Sequence, residues 1–135
     1  MATKVLDSWA LIAFLEDEPA AETVEKLLAQ AAVEKHRLLL SVVNWGEIFY
    51  NTMREVSQEA AEQQARAIAA LPIDIVGVGN DLTLARQAAI YKARHKMAYA
   101  DCFAAALAKL ENCELITGDP EFRQVEKEIK VVWLK

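Results

Sequence analysis
Short apolar runs alternate along the chain with longer stretches in which apolar side chains recur every three or four positions. That is the pattern of strands separated by amphipathic helices. The first strand is expected at Lys4-Val5-Leu6, followed by a helix over 9–16 capped by the Ser8 hydroxyl. Pro19 suits the first position of a second helix, whose apolar face is Val24, Leu27, Leu28 and Ala31. A second strand over 37–41 leads into a helix over 43–56. Ser57 then caps a helix with Ala61, Ala65, Ile68 and Leu71 on one face, ended by Pro72. Residues 73–76 read as the third strand, Asn80 opens a helix through Leu84, Ala88 and Tyr91, and a mostly apolar helix covers about 98–111. The fourth strand is 114–117, Asp119-Pro120 begins a short helix, and 130–134 is the fifth strand.

Short strands separated by helices long enough to cross over imply right-handed βαβ units. The expected class is α/β, a three-layer α/β/α sandwich around a parallel five-stranded sheet. Prolines at 19, 72 and 120 and glycines at 46, 77, 79 and 118 mark no linker, so residues 1–135 are expected to form one domain. In such sheets ligands bind beyond the carboxyl ends of the strands, and function is to be sought there.

Composition narrows the class further. With 54% hydrophobic and 26% charged residues, the chain is not intrinsically disordered. The apolar run 9–15 is far shorter than the ~20 residues that span a bilayer, so neither a membrane nor a secretory segment is expected and the cytoplasm is the expected compartment. Cys102 and Cys113 belong to no Cys-x-x-Cys pair and are expected as two reduced thiols. Fifteen Lys and Arg against twenty Asp and Glu leave a formal charge of −5, which argues against broad electrostatic binding of nucleic acid.

Most acids lie on polar helix faces, but four do not. Asp7 and Asp119 directly follow strands, with Gly118 expected to permit a tight turn before Asp119. Asp101 has Met97, Ala98, Ala104 and Ala105 as its helical neighbours, a face that should be buried. Glu47 lies early in the helix after the second strand. In one parallel sheet all four reach the same end. Carboxylates about 4 Å apart repel by roughly 4 kcal/mol per pair at an effective dielectric near 20, so the cluster calls for a shared proton or a bound cation. Without clustered His or Cys, the fitting ion is hard, Mg²⁺ or Mn²⁺, which points to metal-assisted phosphoryl transfer. Thr117 and Asn44 are placed to orient a carboxylate or a water, or to serve as turn and cap residues.

The segments Val5-Leu6-Asp7-Ser8, Ser41-Val42-Val43-Asn44-Trp45-Gly46-Glu47-Ile48, Tyr99-Ala100-Asp101-Cys102-Phe103-Ala104-Ala105-Ala106 and Leu115-Ile116-Thr117-Gly118-Asp119-Pro120-Glu121-Phe122 occur in an order that resembles the PIN-domain nucleases. The similarity is greatest to VapC-type toxins of toxin–antitoxin pairs. It implies an α/β/α sandwich and magnesium-dependent endonucleolytic cleavage of RNA. Asp7, Glu47, Asp101 and Asp119 would form the acidic quartet, with Thr117 as accessory hydroxyl and Glu121 peripheral. It further implies a homodimer and a cognate antitoxin beside the active site. Trp9 departs from the family pattern, in which a small residue follows Asp-Ser.

Lys92, Arg94, His95 and Lys96 form the densest basic stretch, either contacts for RNA phosphates or a solvated helix end. Trp9, Phe14, Trp45, Phe49 and Tyr50 divide between core packing and a dimer or antitoxin surface. Two non-catalytic readings stay open: a receiver-like module that accepts phosphate on an Asp, and a degenerate PIN fold that only binds a partner. A haloacid-dehalogenase-like phosphatase would need a second Asp where Trp9 stands.

Overall fold
The computed structural model describes residues 1–135. Five strands form one sheet: β1 (Ala2–Leu6), β2 (His36–Ser41), β3 (Asp74–Val76), β4 (Glu114–Thr117) and β5 (Lys130–Trp133). Their order is β3-β2-β1-β4-β5 and every pairing is parallel. Six helices connect them: α1 (Ser8–Leu15), α2 (Ala21–Ala32), α3 (Val42–Glu55), α4 (Gln58–Ala69), α5 (Thr83–Arg94) and α6 (Tyr99–Leu110). A 3-10 helix (Pro120–Val125) links β4 to β5.

Strands covered on both faces carry continuous apolar runs, and Leu38-Leu39-Leu40 is such a run. Leu39, with Val5 and Leu115, faces α5 and α6 through Leu84, Ala88, Tyr91, Phe103 and Leu107. Leu38, with Leu6 and Ile116, faces α1 and α2 through Ala10, Ala13, Val24 and Leu28. Leu40 belongs to a third cluster with Leu11, Ile48 and Ile68, beneath α3 and α4. Buried Ala104, Ala105, Ala106 and Ala108 give α6 a smooth surface, which lets its backbone approach the sheet closely.

The three-layer parallel architecture agrees with the expectation; several element ends do not. Asp7, not Ser8, caps α1, because the carboxylate accepts the Ala10 N–H while the Ser8 hydroxyl donates to the Asn44 carbonyl. Pro19 lies in the turn before α2, whose N-cap is Ala20. Helix α5 starts at Thr83, where the Asp81 carboxylate accepts the backbone N–H, so Asn80 stays outside it. The chain builds β2 and β3 on one side of β1, then crosses to build β4 and β5 on the other. Strand order therefore reverses between β1 and β4, and the crevice beyond their carboxyl ends is where such sheets bind ligands. This order also sets aside the receiver-like reading, since receivers place their first strand between the second and third.

Candidate active site
Leu6 pairs with Ile116, so Asp7 and Thr117 stand side by side one residue further along. Asp7 is fully buried; its Oδ1 accepts the Ala10 N–H at 2.9 Å and its Oδ2 accepts the Thr117 hydroxyl at 2.6 Å. The Thr117 Oγ1 in turn accepts the backbone N–H of Asp119 at 3.0 Å. One hydroxyl thus ties the carboxylate after β1 to the turn after β4. Asp119 caps the 3-10 helix by accepting the Glu121 N–H at 2.9 Å.

Asp101 arrives from the first turn of α6, and only 7% of its surface is exposed, as its apolar helical neighbours predict. Oxygens of Asp101, Asp119 and Glu121 all lie within 4.8 Å of one another. Glu121, expected at the periphery, therefore sits inside the tightest group of acids. The cap that Asp119 makes on Glu121 folds the second carboxyl back beside the first, a consequence of turn geometry that residue spacing alone does not display. Glu47, half-buried on α3, is outside that trio and acts on Asp7 and Asp101 through its charge.

The electrostatics follow from burial. Desolvation pushes the Asp7 carboxyl up to about 7, opposed by the hydrogen bonds from Thr117 and Ala10 and assisted by the charges of Asp119 and Glu47. Asp101 is pushed up to about 9, first by burial, then by its hydrogen bond with the Glu121 carboxyl and by the charges of Asp119, Asp7 and Glu47. Fully ionised carboxylates at the separations of the trio repel by about 3 to 4 kcal/mol per pair at an effective dielectric near 20. Held protons relieve that repulsion, and so does a divalent cation. The trio offers only carboxylate oxygens, the donor set of a hard ion. Neither histidine joins them: the His36 Nε2 meets the Leu27 carbonyl at 2.9 Å, and the His95 Nε2 lies 3.8 Å from Glu128, outside hydrogen-bond distance.

Gly118 serves a different purpose from the tight turn expected of it. No glycine has a positive φ, but a Cβ at 118 would lie 2.3 Å from the Cη2 of Trp9. The missing side chain makes room for the Trp9 ring against the turn that carries Thr117 and Asp119. In the basic stretch Lys92, Arg94 and Lys96 are all exposed, and Lys92 donates to the Met97 carbonyl at 2.7 Å. A cavity of about 790 Å³ opens at the other end of the sheet beside Thr3, Lys109, Glu114 and Lys130 and contains none of these acids.

The model of the PIN domain family matches residues 4–128. The chain belongs to the PIN-domain family. This PIN domain is 30% identical over 128 residues to a VapC ribonuclease of Mycobacterium bovis, across 90% of this chain and 94% of that protein. It matches ribonuclease VapC30 of Mycobacterium tuberculosis to the same extent. Among solved structures, DNA-bound VapBC from Salmonella typhimurium shares the fold with a TM-score of 0.74 at 14% identity, covering 98% of each chain. VapC20 of Mycobacterium tuberculosis, a sarcin-ricin loop cleaving toxin, does so with a TM-score of 0.69 at 19% identity, covering 90% of this chain and 94% of that one. The sandwich expected from the alternation of strands and helices is thus the PIN fold, and the acids lie at its strand-end crevice.

Proposed function
We propose that this PIN domain is a divalent-metal-dependent endoribonuclease, the toxin of a toxin–antitoxin pair. Its substrate is RNA, its working ion Mg²⁺ with Mn²⁺ as a substitute, its partners a cognate antitoxin and a second copy of itself, and its compartment the cytoplasm. The observation that carries the reading is that Thr117 joins Asp7 to the turn of Asp119, where the Asp101 and Glu121 carboxyls gather with that of Asp119. Likeness to VapC ribonucleases along nearly the whole chain supports RNA as the substrate class. Structural neighbours that are VapBC complexes support the antitoxin. Tyr50, Met53 and Val56, exposed at the end of α3, offer apolar surface to a protein partner. No helix is long and apolar enough to cross a membrane.

In this reading Asp101, Asp119 and Glu121 hold the ion, and Asp7 and Glu47 complete the negative pocket. When bound, the ion offsets charge on a phosphodiester and makes water more acidic. Thr117 uses its proton on Asp7 and a lone pair on the Asp119 N–H, so its task is to orient two acids. Asp7, fixed by donors on both oxygens, is the carboxylate whose direction is most constrained.

Incubation of total cellular RNA with the protein tests the reading. Discrete internal cleavage products are expected with Mg²⁺, and none with a chelator. Identical products in the chelator overturn it. Arg94 and Lys96 flank the approach to α6 and are assigned to substrate phosphates; Lys92, committed to Met97, contributes less. Arg94→Gln combined with Lys96→Gln is expected to lower the slope of log affinity against log salt by roughly 1.4, about 0.7 per lost contact to a single strand. An unchanged slope removes both residues from the interface.

A further inference from the structure
The acids come from separate segments, and a side chain outside the acidic cluster joins three of them. Asn44 is fully buried in the first turn of α3. Its Nδ2 donates to the Ser8 hydroxyl at 3.2 Å and to the Ala100 carbonyl at 3.0 Å. The Ser8 hydroxyl donates back to the Asn44 carbonyl at 3.2 Å. A carbonyl only accepts, so the amide atom facing Ala100 is the nitrogen and its orientation is determined. Ser8 follows Asp7, Ala100 precedes Asp101, and Glu47 stands one helical turn beyond Asn44. Each rung of this bridge therefore ends beside a different acid.

The Asn44 Oδ1 is buried without a donor. An apolar side chain of similar shape would fill the space without stranding an acceptor, so filling space does not explain an amide here. The two bonds from its nitrogen do.

We infer that Asn44 is a positioning residue, a brace that sets the spacing of α1, α3 and α6 where they present Asp7, Glu47 and Asp101. The inference rests on the reading of those acids as a metal site. Partners that orient metal ligands without touching the ion control affinity by 10- to 100-fold when removed.

The test is calorimetric titration of Mn²⁺ into the wild type, Asn44→Leu, Ser8→Ala and Val24→Ala, with thermal denaturation of each. Val24 is fully buried on α2, away from the acids, and its truncation supplies a destabilised control. Asn44→Leu is expected to lose roughly tenfold or more in Mn²⁺ affinity. Ser8→Ala, which removes one of the two acceptors, is expected to lose about threefold, a share of the same range. Val24→Ala lowers the melting temperature and leaves affinity unchanged. If Asn44→Leu does not fold, Ser8→Ala against Val24→Ala decides. Wild-type affinity in the Asn44 and Ser8 variants, or an equal loss in Val24→Ala, overturns the brace and leaves the metal site standing. A folded wild type that binds no Mn²⁺ overturns the metal site and the brace together.

Discussion

Asp101→Asn is expected to abolish RNA cleavage and weaken Mn²⁺ binding by more than about 100-fold, while leaving the metal-free protein at least as stable as the wild type. Loss of an outer partner of a ligand already costs 10- to 100-fold, so loss of a ligand's charge costs more. Stability moves the other way because burial and the neighbouring acids push the Asp101 carboxyl up to about 9. Without metal it carries a proton at neutral pH, and Asn imitates that protonated form in shape and charge. The substitution removes the cost of taking up a proton on folding at a pH where the unfolded carboxyl is ionised, and deletes only what the cation requires. Paired melting curves with EDTA and with Mg²⁺ distinguish the outcomes: Mg²⁺ raises the wild-type melting temperature and leaves that of Asp101→Asn unchanged. A variant that melts lower in EDTA and still responds to Mg²⁺ contradicts the assignment of Asp101.

The metal-free protein is also expected to lose stability steadily as pH rises from about 5 to 9, and Mg²⁺ to restore more of it at the alkaline end. Burial pushes the folded carboxyls of Asp7 and Asp101 up to about 7 and about 9, whereas an Asp in the unfolded chain titrates near 3.8. Between those values the folded state binds more protons than the unfolded one, so the slope of unfolding free energy with pH is negative. The stabilisation is complete at acid pH below the unfolded value and is lost as pH climbs through the folded values. Asp7 alone accounts for on the order of 4 kcal/mol between its two limits. A cation that binds only the folded, ionised site adds stability by mass action, about 2.7 kcal/mol at one hundred times its dissociation constant. Urea denaturation at pH 5, 7 and 9, with and without Mg²⁺, measures both. Metal-free stability that is flat or rising over this range shows the two acids to be better solvated than their burial implies.

The alternation of apolar runs and helical periods carried the sandwich, because Leu38-Leu39-Leu40 is too apolar for a one-sided strand and α6 is apolar on nearly every face. It also marked Asp7, Asp101 and Asp119, which are anomalous locally: two follow strands, and one stands among alanines. Element ends were less legible. Whether Asp7 or Ser8 caps α1 depends on a competing partner, the Asn44 carbonyl, 36 residues away.

The fold class, the family resemblance and the carboxylate chemistry are all written in local periodicity and residue type. Distance is not, and it comes from packing. Strand order placed the crevice between β1 and β4, which no local signal encodes. The 3-10 turn drew Glu121 into the trio and left Glu47 outside it, Trp9 claimed the space that Gly118 leaves, and Asn44 found its acceptors on two other segments. Periodicity specifies which face of an element is buried. Only packing specifies what that face meets, because a hydrogen bond or a shared charge forms between residues brought together from far along the chain.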